Sequence, residues 1–277
     1  MPASDHFVRV NELRLRYRHW GHPTRAPVVL LHGGSAHAHW WDFFAPAIAE
    51  HYRIVALDLR GHGDSEHPEP PAYGLENYVD DLGAFIEVSS LQRVTLIGHS
   101  LGGMIATAYS AALPQRVHSL VVVDSSLKMT PAGAHYMHRL RRFPQPVYNS
   151  RADALRRFGL LPASTRADAM ILEHIAGHGV RQLPDGRWTL KFDRAALAHH
   201  QPHDLTPALQ RVRCPILFVR GAHSTVLTPA MLATLLTAAP HAEVVEISDA
   251  HHHVMLDNPA AFALAVHDFL DRTHRIR

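Results

Sequence analysis

The feature that constrains this chain most is Gly98-His99-Ser100-Leu101-Gly102. It follows a strand-like apolar run at 94–97 and precedes a helix-like stretch of small and apolar residues at 103–113. A serine set between a strand and a helix in this way sits on a sharp, strained turn with its hydroxyl exposed. Such a turn leaves no room for side chains on its neighbours, which accounts for Gly98 and Gly102. A nucleophile elbow is therefore expected, with a serine that only caps the following helix as the competing reading.

The surrounding pattern sets the class of fold. Apolar runs at 28–31, 54–57, 94–97 and 120–123 are continuous rather than alternating, as in central strands covered on both faces. The segments 7–10 and 13–20 alternate around Asn11-Glu12 and read as an antiparallel hairpin at one edge. Further strands at 216–219 and 244–247 bring the total to eight. Val79, Leu82, Phe85 and Ile86 recur at helical spacing, as do Phe262, Val266, Phe269 and Leu270. Strands alternating with helices give right-handed crossovers and a doubly wound, mostly parallel sheet, with ligands beyond the carboxyl ends of the strands.

Three loops at such ends carry the remaining signals. Residues 27–31 run into His32-Gly33-Gly34-Ser35, residues 53–57 run into Asp58-Leu59-Arg60-Gly61-His62-Gly63-Asp64-Ser65, and His251-His252-His253 follows the strand-like 242–247 and precedes Pro259. In this order, with the GxSxGG elbow between them, the chain resembles the α/β-hydrolase superfamily over essentially its whole length. The resemblance implies an eight-stranded α/β-hydrolase fold in three parts: a first core segment at 1–128, a helical cap inserted at 129–206 and a second core segment at 207–277. The insertion has helix-like pieces, a Pro184-Asp185-Gly186 turn suited to a loop or short hairpin, and no clear buried strand. Its arginines, Arg139, Arg141, Arg142, Arg151, Arg156 and Arg157 among them, are read as a solvated helix face, with an anionic substrate as the alternative.

The resemblance also assigns roles. Ser100 is the expected nucleophile, which excludes relatives of this fold that carry aspartate at the elbow. The spacing to Asp257-Asn258-Pro259 selects His252 as general base and acid, with His253 the alternate should the register slip. The usual acid is missing: the loop after 215–219 reads Arg220-Gly221-Ala222-His223-Ser224, and Ser224 stands where relatives have a carboxylate. Some relatives place the acid after the preceding strand, which here selects Asp124, with Asp249 as the weaker candidate. The backbone N–H groups of Leu101 and Gly34 are the expected oxyanion hole, aimed at charge that develops during acyl transfer. Ser35, His99, Trp41, Tyr136 and Phe143 are candidate substrate-pocket residues, although the aromatic run at 40–44 also suits core packing. No chemical duty follows for the Asp58 to Ser65 stretch, whose glycines suit a tight turn.

Composition narrows the rest. Hydrophobic residues make up 47% of 277 residues and charged residues 19%, and no apolar run reaches the roughly 18 residues of a membrane span. With no visible signal peptide and one cysteine, Cys214, a cytoplasmic setting is expected, and Cys214 reads as a small buried hydrophobe. A net charge of +2 without a basic stripe speaks against nucleic acid. The 25 histidines include His37-Ala38-His39, yet no cluster has the HExxH form, so no metal and no cofactor are expected. His37 and His39 are expected to line the loop above the site or to face solvent. The partner is then a small-molecule ester with a small or medium acyl group; oligomeric state is not legible. A C–C bond hydrolase acting on a ring-cleavage dienoate and a lactonase are the alternative enzymes, and a receptor that binds without turnover is the alternative outside catalysis.

Overall fold

A computed structural model describes residues 3–129, 131–141, 143–199 and 203–275. Eight strands form one sheet: β1 (Ser4–Val10), β2 (Leu13–Trp20), β3 (Ala26–Leu31), β4 (Tyr52–Leu57), β5 (Val94–His99), β6 (Val117–Val123), β7 (Ile216–Gly221) and β8 (Glu243–Ile247). Their order is β1-β2-β4-β3-β5-β6-β7-β8, with β1 and β2 antiparallel at one edge and the rest parallel from β4 onward.

The continuous apolar runs are explained by what covers them. Successive residues of a strand point to opposite faces. Val29, Leu31, Leu96 and Val122 meet helices α1 (Leu75–Val88) and α2 (Leu101–Ala112), whereas Val28, Leu30, Ile97 and Val121 meet Trp41, Phe44 and the carboxyl-terminal helix Pro259–Arg275. Each helix supplies the stripe read from its spacing: Leu82, Phe85 and Ile86 are buried on one face, Phe262, Val266, Phe269 and Leu270 on the other. Burying a large apolar side chain contributes about 1.5–3 kcal/mol, so both faces of the sheet hold the fold.

The chain between β6 and β7 leaves the sheet. A two-residue ladder closes its neck, pairing Lys128 with Asp204 and Met129 with His203. Beyond it lie the helices Pro131–Arg141, Arg151–Arg156 and α3 (Ala169–His178). They do not stand alone. Val180–Gln182 and Trp188–Leu190 form a hairpin around the Pro184-Asp185-Gly186 turn, and Val147–Tyr148 joins it as a third strand. Strands of two or three residues carry no readable periodicity, so only the turn announced them.

Two histidines expected near the active site or in solvent are instead buried between this segment and the sheet. His37 donates from Nε2 to the Ile175 carbonyl at 3.0 Å, and Asp42 Oδ2 accepts from His39 Nδ1 at 2.8 Å and from His174 Nε2 at 2.7 Å. These bonds tie α3 to the chain that follows the His32 to Ser35 loop. Cys214 is buried as expected, and burial pushes its thiol up to about 12. No helix among the described residues is long and apolar enough to cross a membrane.

Candidate active site

Ser100 stands between β5 and α2 with φ 51 and ψ −114, a conformation that costs a non-glycine residue on the order of 1–3 kcal/mol. Its neighbours show why they are glycines. A Cβ on Gly98 would lie 2.2 Å from the Gly102 carbonyl oxygen, and one on Gly102 would lie 2.2 Å from that of Leu31. The helix thus starts in contact with the adjoining strands, and Ser100 N–H donates to the Val123 carbonyl at 3.0 Å.

Asp124 follows β6, the neighbouring strand. It is fully buried and also has positive φ, 43. Its Oδ1 accepts from His252 Nδ1 at 2.8 Å and from Ser224 Oγ at 2.6 Å, and its Oδ2 accepts from the Gly221 N–H at 2.9 Å. Ser224 and His252 thus share one oxygen of the Asp124 carboxylate. Burial raises the Asp124 carboxyl above its ordinary value, against the pull of Ser224, Gly221 and Arg220.

His252 is held on both sides. Asp257 Oδ2 accepts the His251 N–H at 2.7 Å, and His99 Nε2 donates to the His252 carbonyl at 2.9 Å. Burial, with His253 beside it, lowers the imidazole below the usual histidine range, so it rests neutral. Because Nδ1 carries the proton given to Asp124, Nε2 is left as the basic atom, and it makes no hydrogen bond among the described residues. The alternates point elsewhere: His253 Nε2 donates to the Pro162 carbonyl at 2.8 Å, and Asp249 makes no hydrogen bond to His252.

The loop after β3 completes the site. His32 Nδ1 donates to the Gly33 carbonyl at 2.7 Å and its Nε2 accepts the Leu59 N–H at 3.1 Å, which fixes the neutral tautomer. The N–H groups of Gly34 and Leu101 have no acceptor among the described residues, and a Cβ on Gly34 would meet nothing within 4 Å.

The Asp58 to Ser65 stretch has a duty that its sequence did not reveal. The buried Asp58 carboxylate accepts from Ala38 N–H at 2.6 Å, Asp64 N–H at 3.0 Å and Arg16 Nη1 at 3.0 Å. It anchors the chain just beyond the Gly34 loop to β2 and to its own turn. The spacing from Asp58 to Gly63 was visible; the partners, far away in sequence, were not.

Several expected pocket residues fall elsewhere. Trp41 is fully buried and packs edge-on against Phe44 and near Phe262, because its stripe faces the sheet rather than the site. Phe143 is 62% exposed, turned toward solvent. Tyr136 lies on the helix Pro131–Arg141, and its side chain is outside the described residues. His99 lies beneath the site, its ring 4.6 Å from that of His252, and Ser35 lines a cavity under the inserted segment.

Among the described residues, two histidine groups bring ring nitrogens close enough to share a cation: His39, His174 and His178, and His99, His252 and His253. In the first, Arg16 Nη2 and Arg18 Nη1 lie 2.9 and 3.0 Å from the His39 ring nitrogens, and those two guanidinium charges oppose a dication. In the second, His99 and His253 spend their Nε2 protons on main-chain carbonyls.

The chain matches the family model of the alpha/beta hydrolase fold across residues 26–259. It belongs to that family. The α/β hydrolases similar to it include the 2-(acetamidomethylene)succinate hydrolase of Mesorhizobium japonicum, 28% identical over 97% of both chains. Esterase YbfF of Escherichia coli is 27% identical over 90% of this chain and 94% of its own. Among solved structures, that of E-2-(acetamidomethylene)succinate hydrolase superposes with a TM-score of 0.87 at 24% identity, covering 98% of this chain and all of the other. This α/β-hydrolase chain is accordingly a hydrolase in fold and family.

Proposed function

We propose that the protein is a serine hydrolase that cleaves a carboxylic ester of a small or medium acyl group through an acyl-enzyme, with Ser100 as nucleophile, His252 as base and Asp124 as the orienting acid. The observation that carries this reading is the 2.8 Å bond from His252 Nδ1 to Asp124, which leaves Nε2 as the unprotonated, basic atom of the imidazole, together with the strained serine elbow at Ser100. Ser100 Oγ attacks the acyl carbon as its proton passes to His252 Nε2. The oxyanion is received by the N–H groups of Leu101 and Gly34, and the proton is returned to the leaving alkoxide. Water then repeats the sequence, releasing the acid and restoring the serine. The residues 129–206 act as a cap over the site.

Esterases among the similar proteins support the ester, and a relative named for a succinate derivative supports a compact acyl group over a long chain. No step needs a metal or cofactor. Hydrolysis of p-nitrophenyl butyrate by the wild type, compared with Ser100→Ala, tests the reading. Turnover should fall by ~10⁴-fold or more in the variant. Comparable turnover in both would remove Ser100 from the chemistry. Bleaching of a ring-cleavage dienoate without ester turnover would favour the C–C hydrolase instead.

A further inference from the structure

Between the Gly34 loop and the inserted segment lies a cavity of about 260 Å³. The core contributes Ser35, the residue next to the Gly34 oxyanion donor, and the insertion contributes the rest. Phe158, Leu160, Leu190 and Phe192 give it apolar walls. Its charged lining, among the described residues, is Arg157 and Arg194, with no carboxylate.

Neither arginine has a carboxylate to itself. Arg194 donates to the main-chain carbonyls of Leu140 at 3.1 Å and Pro144 at 3.3 Å, and no described carboxylate pairs with it. Those carbonyls orient the guanidinium without cancelling its charge. Arg157 shares a single carboxylate, Asp153, with Arg156, at 3.2 and 3.0 Å. An excess of positive charge therefore borders a half-enclosed, apolar space, where an arginine fork favours a carboxylate.

We propose that this cavity takes the far end of an acyl group that ends in a carboxylate, so that the preferred substrates are half-esters of short dicarboxylic acids. The inference rests on the serine-hydrolase reading above. The acyl carbonyl sits at Gly34 and Leu101, the methylene chain runs past Ser35 along Phe158 and Phe192, and the terminal carboxylate meets Arg194 and Arg157. The small volume excludes long chains, and the missing acidic lining excludes cationic ones.

Mono-p-nitrophenyl esters of succinate, glutarate and adipate, each compared with the neutral ester of equal chain length, provide the test. At least one half-ester should exceed its neutral partner tenfold or more in kcat/KM. In Arg194→Gln, and separately in the exposed Arg157→Gln, that ratio should collapse toward one through a higher KM for the half-ester, with Arg194→Lys recovering part of it. Neutral esters turned over as well as every half-ester, or a preference only for a carboxylate on the alcohol side, would overturn the proposal and leave the serine mechanism standing. So would an equal loss on both esters in the Arg194 and Arg157 variants. Half-ester turnover that persists in Ser100→Ala would instead strike at the mechanism itself.

Discussion

Asp124→Asn should lower turnover about 10⁴-fold while leaving the circular dichroism of the chain unchanged, as loss of a triad acid does when its geometry survives. An amide there can offer its N–H₂ to His252 Nδ1, which would then accept. The proton would move to Nε2, the atom that must take the serine proton. Electrostatic support for the imidazolium would vanish as well. Ser224 offers a second arm to this experiment, since its Oγ lies 2.6 Å from the same Asp124 oxygen that His252 touches. Adding Ser224→Asp to Asp124→Asn should recover activity at least tenfold, because it would place a carboxylate beside the position of the Asp124 oxygen that His252 touches. Near wild-type turnover in Asp124→Asn, or a larger loss in Asp249→Asn, would show that the acid lies elsewhere.

That arrangement also shows what could be read from the residues. Ser100 and Asp124 could be singled out as candidates because each directly follows a strand, and His252 because it lies on the loop after the last strand, at the carboxyl edge of the same parallel sheet. The departure at Ser224 was legible as an absence, a serine where a carboxylate was due. Its consequence, a hydroxyl donating to the relocated acid, depends on β6 and β7 being neighbours in a fixed register, with Leu217 opposite Val121 and Val219 opposite Val123.

Trp41 shows the limit of the same reasoning. The run from Trp40 to Phe44 is aromatic on several sides, and composition does not say which ring faces the sheet. A short 3₁₀ helix at Ala38–Trp41 turns Trp41 into the core and leaves Trp40 near His99 and His253. His37 and His39 misled for a related reason: polar residues in a loop suggest solvent, but α3 covers them. The partners Ile175 and His174 lie more than a hundred residues away, and nothing local encodes that contact. Arg194 belongs to the same class. The main-chain carbonyls that hold its guanidinium, those of Leu140 and Pro144, lie 54 and 50 residues away in the chain.

Stability should fall steeply as pH drops from 7 to 5. Burial lowers the imidazole of His62 to about 3 and also depresses those of His32, His37 and His99. Each folded-state value lies below the unfolded one of about 6.5, so the unfolded chain takes up protons first and the folded state loses ground as pH falls through 6.5. His62 alone should cost about 2 kcal/mol at pH 5, and the loss continues until its folded value is reached near pH 3. Its neutral form is well fixed, since Nδ1 donates to the Arg60 carbonyl at 2.8 Å and Nε2 is buried without a partner. Asp124 acts in the opposite sense, its raised carboxyl favouring the folded state as pH falls, but it is one group against several imidazoles. Against a total of about 5–15 kcal/mol, a few such histidines are enough to bring unfolding within reach of mildly acidic buffer. Urea midpoints between pH 7.5 and 5 measure the effect. The midpoint should decline throughout that range, and His62→Gln, which removes one titrating ring, should flatten the decline. A midpoint that holds constant to pH 5 would mean that the buried imidazoles find proton acceptors or water on opening, and that the lowered values do not govern the stability of this fold.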